Sequence, residues 1–125
     1  MKSKKVVIVD DQETICNLVK ASLENAWPAI KATTCFDSRQ AFDKIKTFEP
    51  DLVVMDVQMG EVSGDDVAQA MKEHPLTRSI PIIFLTGILT PEEARLRGNK
   101  SGGEFFLAKP VDFKELIAAV EKFIG

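Results

Sequence analysis

The sequence predicts a single α/β domain in which helices cover both faces of a five-stranded parallel sheet. Short apolar runs alternate with stretches of helical spacing along the whole 125-residue chain. The run Leu52 to Met55 is apolar at every position, as expected for a central strand that is covered on both faces. We find no internal repeat and no linker between the two ends. A doubly wound sheet in one domain, residues 1–125, therefore accounts for the pattern.

The five predicted strands are short apolar runs bounded by charged or turn residues. The first is closed by the acidic residue Asp10, and the second contains the β-branched pair Thr33-Thr34. The third is the continuous run described above, and the fourth contains Pro81, which a strand tolerates only near its start. In chain order the predicted strands are Lys5 to Val9, Ile30 to Phe36, Leu52 to Met55, Ile80 to Leu85 and Glu104 to Leu107.

Five helices are predicted between and after these strands. Apolar residues recur at helical spacing in four of them: Ile15 to Leu23, Ala41 to Ile45, Val67 to Met71 and Phe113 to Val120. Start signals are capping patterns in the second, fourth and fifth: Asp37 with Gln40, Thr90 to Glu93, and Asp112 with Glu115. The first helix is expected to stop at Trp27-Pro28 and the third near His74-Pro75.

Composition narrows the possible classes of protein. A net charge of −3 gives no basic surface for nucleic acid, and no apolar run approaches the length of a membrane span. The first apolar run is too short for a signal peptide, so we expect a cytoplasmic protein. Cys16 and Cys35 have no metal-type spacing and are predicted to be two reduced thiols in the core.

Four predicted strands end on polar residues that can carry chemistry: Asp10-Asp11, Asp56, Thr86 and Lys109. In an open parallel sheet the carboxyl ends of the strands meet at one edge, so these side chains are expected to share a crevice. Two carboxylates 4 Å apart repel by about 4 kcal/mol at an effective dielectric near 20. A divalent cation would remove that cost. Taken alone, Asp10-Asp11 could instead be a pair that caps a helix.

The strand ends carry the motifs VVIVDD, LVVMDVQMGEVSG, IIFLTG and FFLAKP in this order. Together they resemble the CheY-like receiver domain of two-component response regulators, and the resemblance covers nearly the whole chain. It implies a flavodoxin-like fold with strand order 2-1-3-4-5. It also implies a phosphorylation-dependent switch that catalyses only its own phosphorylation and dephosphorylation.

The resemblance assigns a role to each residue of the crevice. Asp56 is implied to be the phosphoacceptor, with the phosphoryl group taken from a phosphohistidine of a histidine kinase or a histidine phosphotransfer protein. Asp11 and Asp56 are implied to bind Mg²⁺ directly, Asp10 through a metal-bound water, and Gln58 through its backbone carbonyl. These are hard oxygen ligands of the kind that Mg²⁺ prefers.

Three further residues are implied to act beside the acceptor. Lys109 would neutralise charge on the phosphoryl group, Thr86 would be the switch hydroxyl, and Phe106 the aromatic ring that turns inward behind it. The resemblance also implies a cis bond between Lys109 and Pro110. The downstream protein target would bind the face formed by the fourth helix, fifth strand and fifth helix. The protein itself would be a monomer, or a dimer promoted by phosphorylation.

The chain departs from the common receiver pattern at three positions. Gly60 stands where most receivers have proline, Phe106 replaces a tyrosine or histidine, and the apolar Ile88 lies at a position that tunes water access. Two other functions stay open. A haloacid-dehalogenase-type phosphohydrolase would need a second acid two residues after Asp56, where Gln58 stands. A phosphorylation-independent interaction module would not need the complete set of crevice residues.

Overall fold

A parallel sheet forms the centre of the computed structural model, which describes residues 3–87, 100–101 and 104–124. Its strands are β1 (Lys4–Val9), β2 (Ile30–Cys35), β3 (Leu52–Asp56), β4 (Ile82–Thr86), β5 (Lys100–Ser101) and β6 (Glu104–Ala108). They lie in the order β2-β1-β3-β4-β6-β5. All neighbours are parallel except β5, which pairs antiparallel with β6. The five predicted parallel strands and their order 2-1-3-4-5 are confirmed, and the two-residue β5 is an addition that was not predicted.

Four α-helices lie in the described ranges: α1 (Glu13–Ala26), α2 (Ala41–Phe48), α3 (Gly64–Glu73) and α4 (Phe113–Ile124). The last of them corresponds to the fifth predicted helix. The helix predicted to begin at Thr90 lies outside the described residues, as does Ile88. None of the helices in these ranges is both long and apolar enough to cross a membrane.

The start of the second helix differs from the prediction. Asp37 does act as a cap, but it caps a 3-10 turn at Ser38–Gln40, and α2 begins only at Ala41. Its carboxylate accepts the Arg39 backbone N–H at 3.0 Å and also contacts the Arg39 guanidinium. The predicted cap of the last helix is present, because Asp112 accepts the backbone N–H groups of Lys114 and Glu115.

The sheet is covered on both faces, as the continuous apolar strands predict. Each face of the sheet has its own hydrophobic core, and alternate residues of β1 belong to different ones. Val6 and Ile8 pack with α1 and α4, whereas Val7 and Val9 pack with α2 and α3. Every residue of β3 is buried. Side chains on successive strand positions point to opposite faces, so a strand covered twice must be apolar throughout.

The two cysteines are buried and free, as predicted. Cys16 belongs to the core beneath α1, and Cys35 belongs to the core on the other side of the sheet. Burial is the main reason why the pKa of the Cys16 thiol is raised to about 12, and the nearby Asp10 carboxylate adds to it. Cys16 is therefore a neutral thiol at physiological pH.

Candidate functional site

The sheet register brings the predicted crevice residues to one edge. Asp56 and Thr86 are the last residues of β3 and β4, while Asp10 and Lys109 directly follow β1 and β6. Backbone hydrogen bonds continue past the strand ends. Asp10 N–H donates to Cys35 O at 3.1 Å, and Lys109 N–H donates to Thr86 O at 2.7 Å. The sheet ladder thus holds the backbone of the site, which limits how far each side chain can drift.

Three carboxylates and one ammonium meet at this edge. Single carboxylate oxygens of Asp10, Asp11 and Asp56 lie within 4.8 Å of one another. The Lys109 ammonium lies 3.2 Å from Asp10 Oδ2 and 3.2 Å from Asp56 Oδ1. Asp10 and Asp56 are buried, whereas Asp11 is exposed. One cation therefore faces three anions in a partly dehydrated crevice.

The pKa of Asp56 reflects its burial and the excess of negative charge around it. Burial and then the neighbouring Asp10 carboxylate raise the pKa of Asp56 above its ordinary value, although Lys109 and the Gln58 backbone N–H oppose them. Burial tends to lower the pKa of Lys109, but Asp10 and Asp56 outweigh it, so that the pKa of Lys109 is raised. Lys109 consequently stays charged at neutral pH, while ionisation of Asp56 is less favourable in the folded state than in the unfolded state.

This cost predicts an unusual pH dependence of stability. Between the ordinary Asp value of 3.8 and the higher folded pKa of Asp56, the folded state binds more protons at this site than the unfolded state. The free energy of unfolding therefore falls as pH rises through this window. In EDTA, Asp56→Asn is expected to be more stable than wild type at neutral pH. The difference should shrink as pH falls toward 3.8.

Urea unfolding of both proteins at a series of pH values measures this difference. If wild type gained stability relative to Asp56→Asn as pH rose, the folded carboxylate would instead be stabilised in its charged form. The assignment of a raised pKa would then be wrong. EDTA is needed because a bound divalent cation would favour the ionised carboxylates.

The donor set fits a hard divalent cation. Two oxygens on opposite sides of an octahedral Mg²⁺ stand about 4.2 Å apart, and adjacent ones stand closer. Carboxylate oxygens within 4.8 Å of one another need only small movements to reach such distances. Gln58 contributes a backbone N–H to Asp56 Oδ1 at 3.3 Å. The role of its carbonyl as a further ligand stays a prediction.

Thr86 and Phe106 lie on neighbouring strands beside the acidic residues. Phe84 pairs with Phe106 in the register of β4 and β6, and their rings stack with centroids 5.2 Å apart. Thr86 follows Phe84 by two positions, so both side chains belong to the same face of the sheet. Thr86 is buried and Phe106 is partly buried. The Lys109-Pro110 peptide bond is cis, as the resemblance implied.

The structure adds contacts of Asp10 that support the site, and it adds Gly64, which sequence reasoning missed. Asp10 Oδ1 accepts the Gln12 backbone N–H at 2.9 Å, and the Cys16 thiol donates to the Asp10 carbonyl at 3.4 Å. Asp10 thus does support the start of α1, and it also pairs with Lys109 through its other oxygen. Gly64 approaches the Asp56 carbonyl so closely that a Cβ there would overlap it. Its place in the motif EVSG was the only signal in the sequence.

Comparison with known proteins shows which family this chain resembles. The sequence model of the response regulator receiver domain family matches residues 6–121. The polar-differentiation response regulator DivK of Brucella ovis is 30% identical, and the match covers 98% of both chains. The DNA-binding dual master transcriptional regulator RpaA of Synechocystis is also 30% identical, but the match covers 96% of this chain and 48% of RpaA.

The response regulator PleD of Caulobacter vibrioides is 32% identical, and the match covers 94% of this chain and 25% of PleD. This chain thus spans about half of RpaA and a quarter of PleD. Among solved structures, the chemotaxis response regulator CheY4 of Vibrio cholerae is similar over 98% of this chain and 100% of its own. The TM-score is 0.81 at 26% identity.

Proposed function

This chain belongs to the response regulator receiver domain family, and from that membership we propose that Asp56 accepts a phosphoryl group from a phosphohistidine in a Mg²⁺-dependent reaction. Receiver domains are phosphorylation-dependent signalling modules of two-component systems, and they act with histidine kinases or phosphotransfer proteins and with downstream targets. The proposal for this chain concerns the acceptor, the cation and the roles of the neighbouring side chains.

The contact of Lys109 with both buried carboxylates is the observation that carries the proposal. It holds the Lys109 ammonium 3.2 Å from Asp56 at the carboxyl edge of the sheet, next to the buried Asp10 and the exposed Asp11. Within the described part of the chain, Asp56 Oδ1 takes both the Lys109 ammonium and the Gln58 N–H. We therefore propose Oδ2 as the oxygen that attacks phosphorus.

The transfer step replaces one bond to phosphorus by another. Asp56 Oδ2 attacks the phosphorus, a P–O bond forms, and the P–N bond to the donor imidazole breaks. The imidazole leaves with the electron pair and takes up a proton. Such transition states spread charge over three equatorial oxygens, so the protein contributes positioning and positive charge. Lys109, whose ammonium lies 3.2 Å from Asp56 Oδ1, is proposed to contact one of these oxygens.

Mg²⁺ bound at this site would neutralise charge on the carboxylates and the transferring group. We propose Asp11 and Asp56 as direct ligands, with Asp10 acting through a bound water and Gln58 through its carbonyl. The cluster of oxygens at the strand ends supports this ligand set. Because Asp10 already pairs with Lys109 and the Gln12 N–H, an indirect contact suits it better than direct ligation.

Thr86 and Phe106 are proposed to report the new phosphoryl group. Thr86 ends the strand beside Asp56, and Phe106 lies on the next strand and the same face. Movement of the Thr86 hydroxyl toward the phosphoryl oxygen would open space that the Phe106 ring can fill. The output face would then include β6 and α4. The phenylalanine has no hydroxyl, so we expect this signal to pass through ring position and packing.

Phosphohydrolase activity of the haloacid-dehalogenase type finds no support at the second acid position, because Gln58 cannot act as a general acid. An interaction module without phosphorylation would not require the buried pair of Asp10 and Asp56, which carries the electrostatic cost described above. A single phosphorylation experiment distinguishes the proposed function from both alternatives.

The experiment is incubation with acetyl phosphate and Mg²⁺ followed by intact mass measurement. We expect one added phosphoryl group per chain, no addition in EDTA, and loss of the group on treatment with hydroxylamine, which cleaves acyl phosphates. No adduct under any condition would contradict the proposal. Turnover of unrelated phosphate esters would favour the hydrolase, and a hydroxylamine-stable adduct would place the phosphoryl group on another type of side chain.

A further inference from the structure

A pocket of about 300 Å³ lies at the edge of the sheet opposite to the acidic crevice. It is bordered by Ile82, the first residue of β4, whereas Thr86 at the other end of this strand belongs to the crevice. Four steps along a strand separate these two residues by about 13 Å. The pocket is therefore distinct from the proposed phosphorylation site. Its volume is at the lower limit for sites that bind small organic molecules.

Two aromatic side chains form one wall of this pocket. The rings of Phe105 in β6 and Phe123 in α4 contact each other edge to face, with centroids 5.5 Å apart and planes at 88°. Phe123 is 37% exposed, which is high for a large apolar side chain already packed against a neighbour. A flat ring inserted here would bury the remaining apolar surface and contact the aromatic edges.

Three basic side chains line the same pocket: Lys72, Arg78 and Lys122. No acidic side chain is among the described residues that line it, although the chain as a whole has a net charge of −3. In the portion of the chain that the structure describes, neither Arg78 nor Lys122 forms an ion pair. The concentration of positive charge is thus local and is not a consequence of composition.

Arg78 is held at the pocket by an ordered turn after α3. The buried Thr77 hydroxyl donates to the Met71 carbonyl at 2.7 Å, and Arg78 N–H donates to the His74 carbonyl at 2.9 Å. The Ile80 N–H donates to the Thr77 carbonyl at 3.1 Å, so the backbone is held both before and after Arg78. A planar guanidinium presented from a fixed backbone suits bidentate contact with a phosphate or carboxylate.

We propose that this pocket binds a small aromatic phosphate, of which a nucleoside monophosphate is the representative. The base would pack against Phe105 and Phe123, and the phosphate dianion would contact Arg78 and Lys122. A metal cation would be repelled by Arg78 and Lys122, and an uncharged ring would leave these two side chains unused. The pocket is concave and small, which favours a compact ligand over an extended peptide.

Titration of the ¹⁵N-labelled protein with AMP at physiological salt tests the proposal, with adenosine and inorganic phosphate as partial ligands. We expect saturable amide shifts at Arg78 and Phe105, and affinities for adenosine and phosphate weaker by about tenfold or more. Arg78→Glu is expected to weaken AMP binding by a similar factor. Lys31→Glu, an exposed charge reversal on β2, is the matched control and should bind AMP as wild type does.

Phe123→Ala separates an aromatic pocket from a merely basic surface. It should weaken AMP binding while leaving the weak binding of phosphate unchanged. Asp56→Asn should bind AMP normally, so the outcome is independent of the proposed phosphorylation. Absence of saturable shifts at millimolar AMP, equal affinity for phosphate and AMP, or undiminished binding by Arg78→Glu would overturn the proposal. Binding of an acidic peptide in place of AMP would overturn it too.

Discussion

Asp56→Asn is expected to take up no phosphoryl group from acetyl phosphate and Mg²⁺, under conditions in which the wild-type chain is fully phosphorylated. The amide is nearly isosteric with the carboxylate, but it lacks the negative charge and the nucleophilic oxygen. It also removes one of the three carboxylates that could hold the cation. The loss should be complete, because the proposed chemistry has no other nucleophile.

Two controls make this result specific. Asp43→Asn changes an exposed carboxylate on α2, and it should be phosphorylated at the wild-type rate. Circular dichroism and urea unfolding should show that Asp56→Asn is folded, since the substitution relieves repulsion between buried carboxylates. Phosphorylation of folded Asp56→Asn to the wild-type extent would exclude Asp56 as the acceptor.

Gly64→Ala is expected to destabilise the protein by about 2 kcal/mol and to slow phosphorylation, because an added Cβ would overlap the Asp56 carbonyl oxygen. The same Cβ would stand 3.0 Å from the Val57 Cα. These neighbours are backbone atoms, which cannot rotate away as a flexible side chain can. Gly64 N–H also donates to the Val57 carbonyl at 2.9 Å. Displacing α3 would therefore move the loop that begins at Asp56.

Helix propensity predicts the opposite sign for this substitution. Gly64 is the first residue of α3, and alanine is favoured over glycine inside a helix by about 0.5–1 kcal/mol. A measured loss of stability would thus show that the contact with Asp56 dominates. An unchanged or increased free energy of unfolding would mean that the backbone can shift at little cost, and the close approach would then not constrain the site.

Gly60→Ala is the matched control in the same loop. A Cβ at this position would meet no atom within 4 Å, and its backbone does not adopt the left-handed conformation that favours glycine. Replacing glycine at such a position usually stabilises a protein by about 0.4–1 kcal/mol, because the unfolded chain loses freedom. The two substitutions should therefore change the free energy of unfolding, measured in urea, in opposite directions.

Gly60 and Gly64 have different roles in this loop. The open space around Gly60 means that packing does not demand glycine there. The glycine instead leaves the backbone between Asp56 and α3 with more freedom. Gly64 has the opposite role, since the absence of a Cβ allows the start of α3 to approach the Asp56 carbonyl closely. The structure thus separates a glycine required for close approach from one that is sterically replaceable.

Strand type could be predicted because burial on both faces leaves a simple pattern, whereas the order of the strands came only from the resemblance to receiver domains. Leu52 to Asp56 forms a wholly buried strand, and its apolar run is visible without any structure. The predicted start of α2 was wrong because Asp37 caps a single 3-10 turn before the helix begins. A 3-10 turn and the first turn of an α-helix have the same local capping signal, so the sequence does not distinguish them. The short antiparallel β5 has two residues, too few for a period of two to be detected.

The sequence by itself determined the fold class and the chemical identity of the strand-end residues, because both depend on local patterns: apolar runs, capping residues and polar residues placed after strands. Tertiary structure alone decided the distances. Lys109 is 99 positions from Asp10 along the chain, yet their side chains form a hydrogen bond. Burial and then the Asp10 carboxylate raise the pKa of Asp56, and both causes arise from tertiary packing. The contact of Gly64 with Asp56 and the basic aromatic pocket have the same origin. Distances between residues far apart in sequence are set by how strands pair and helices pack, and no local pattern records them.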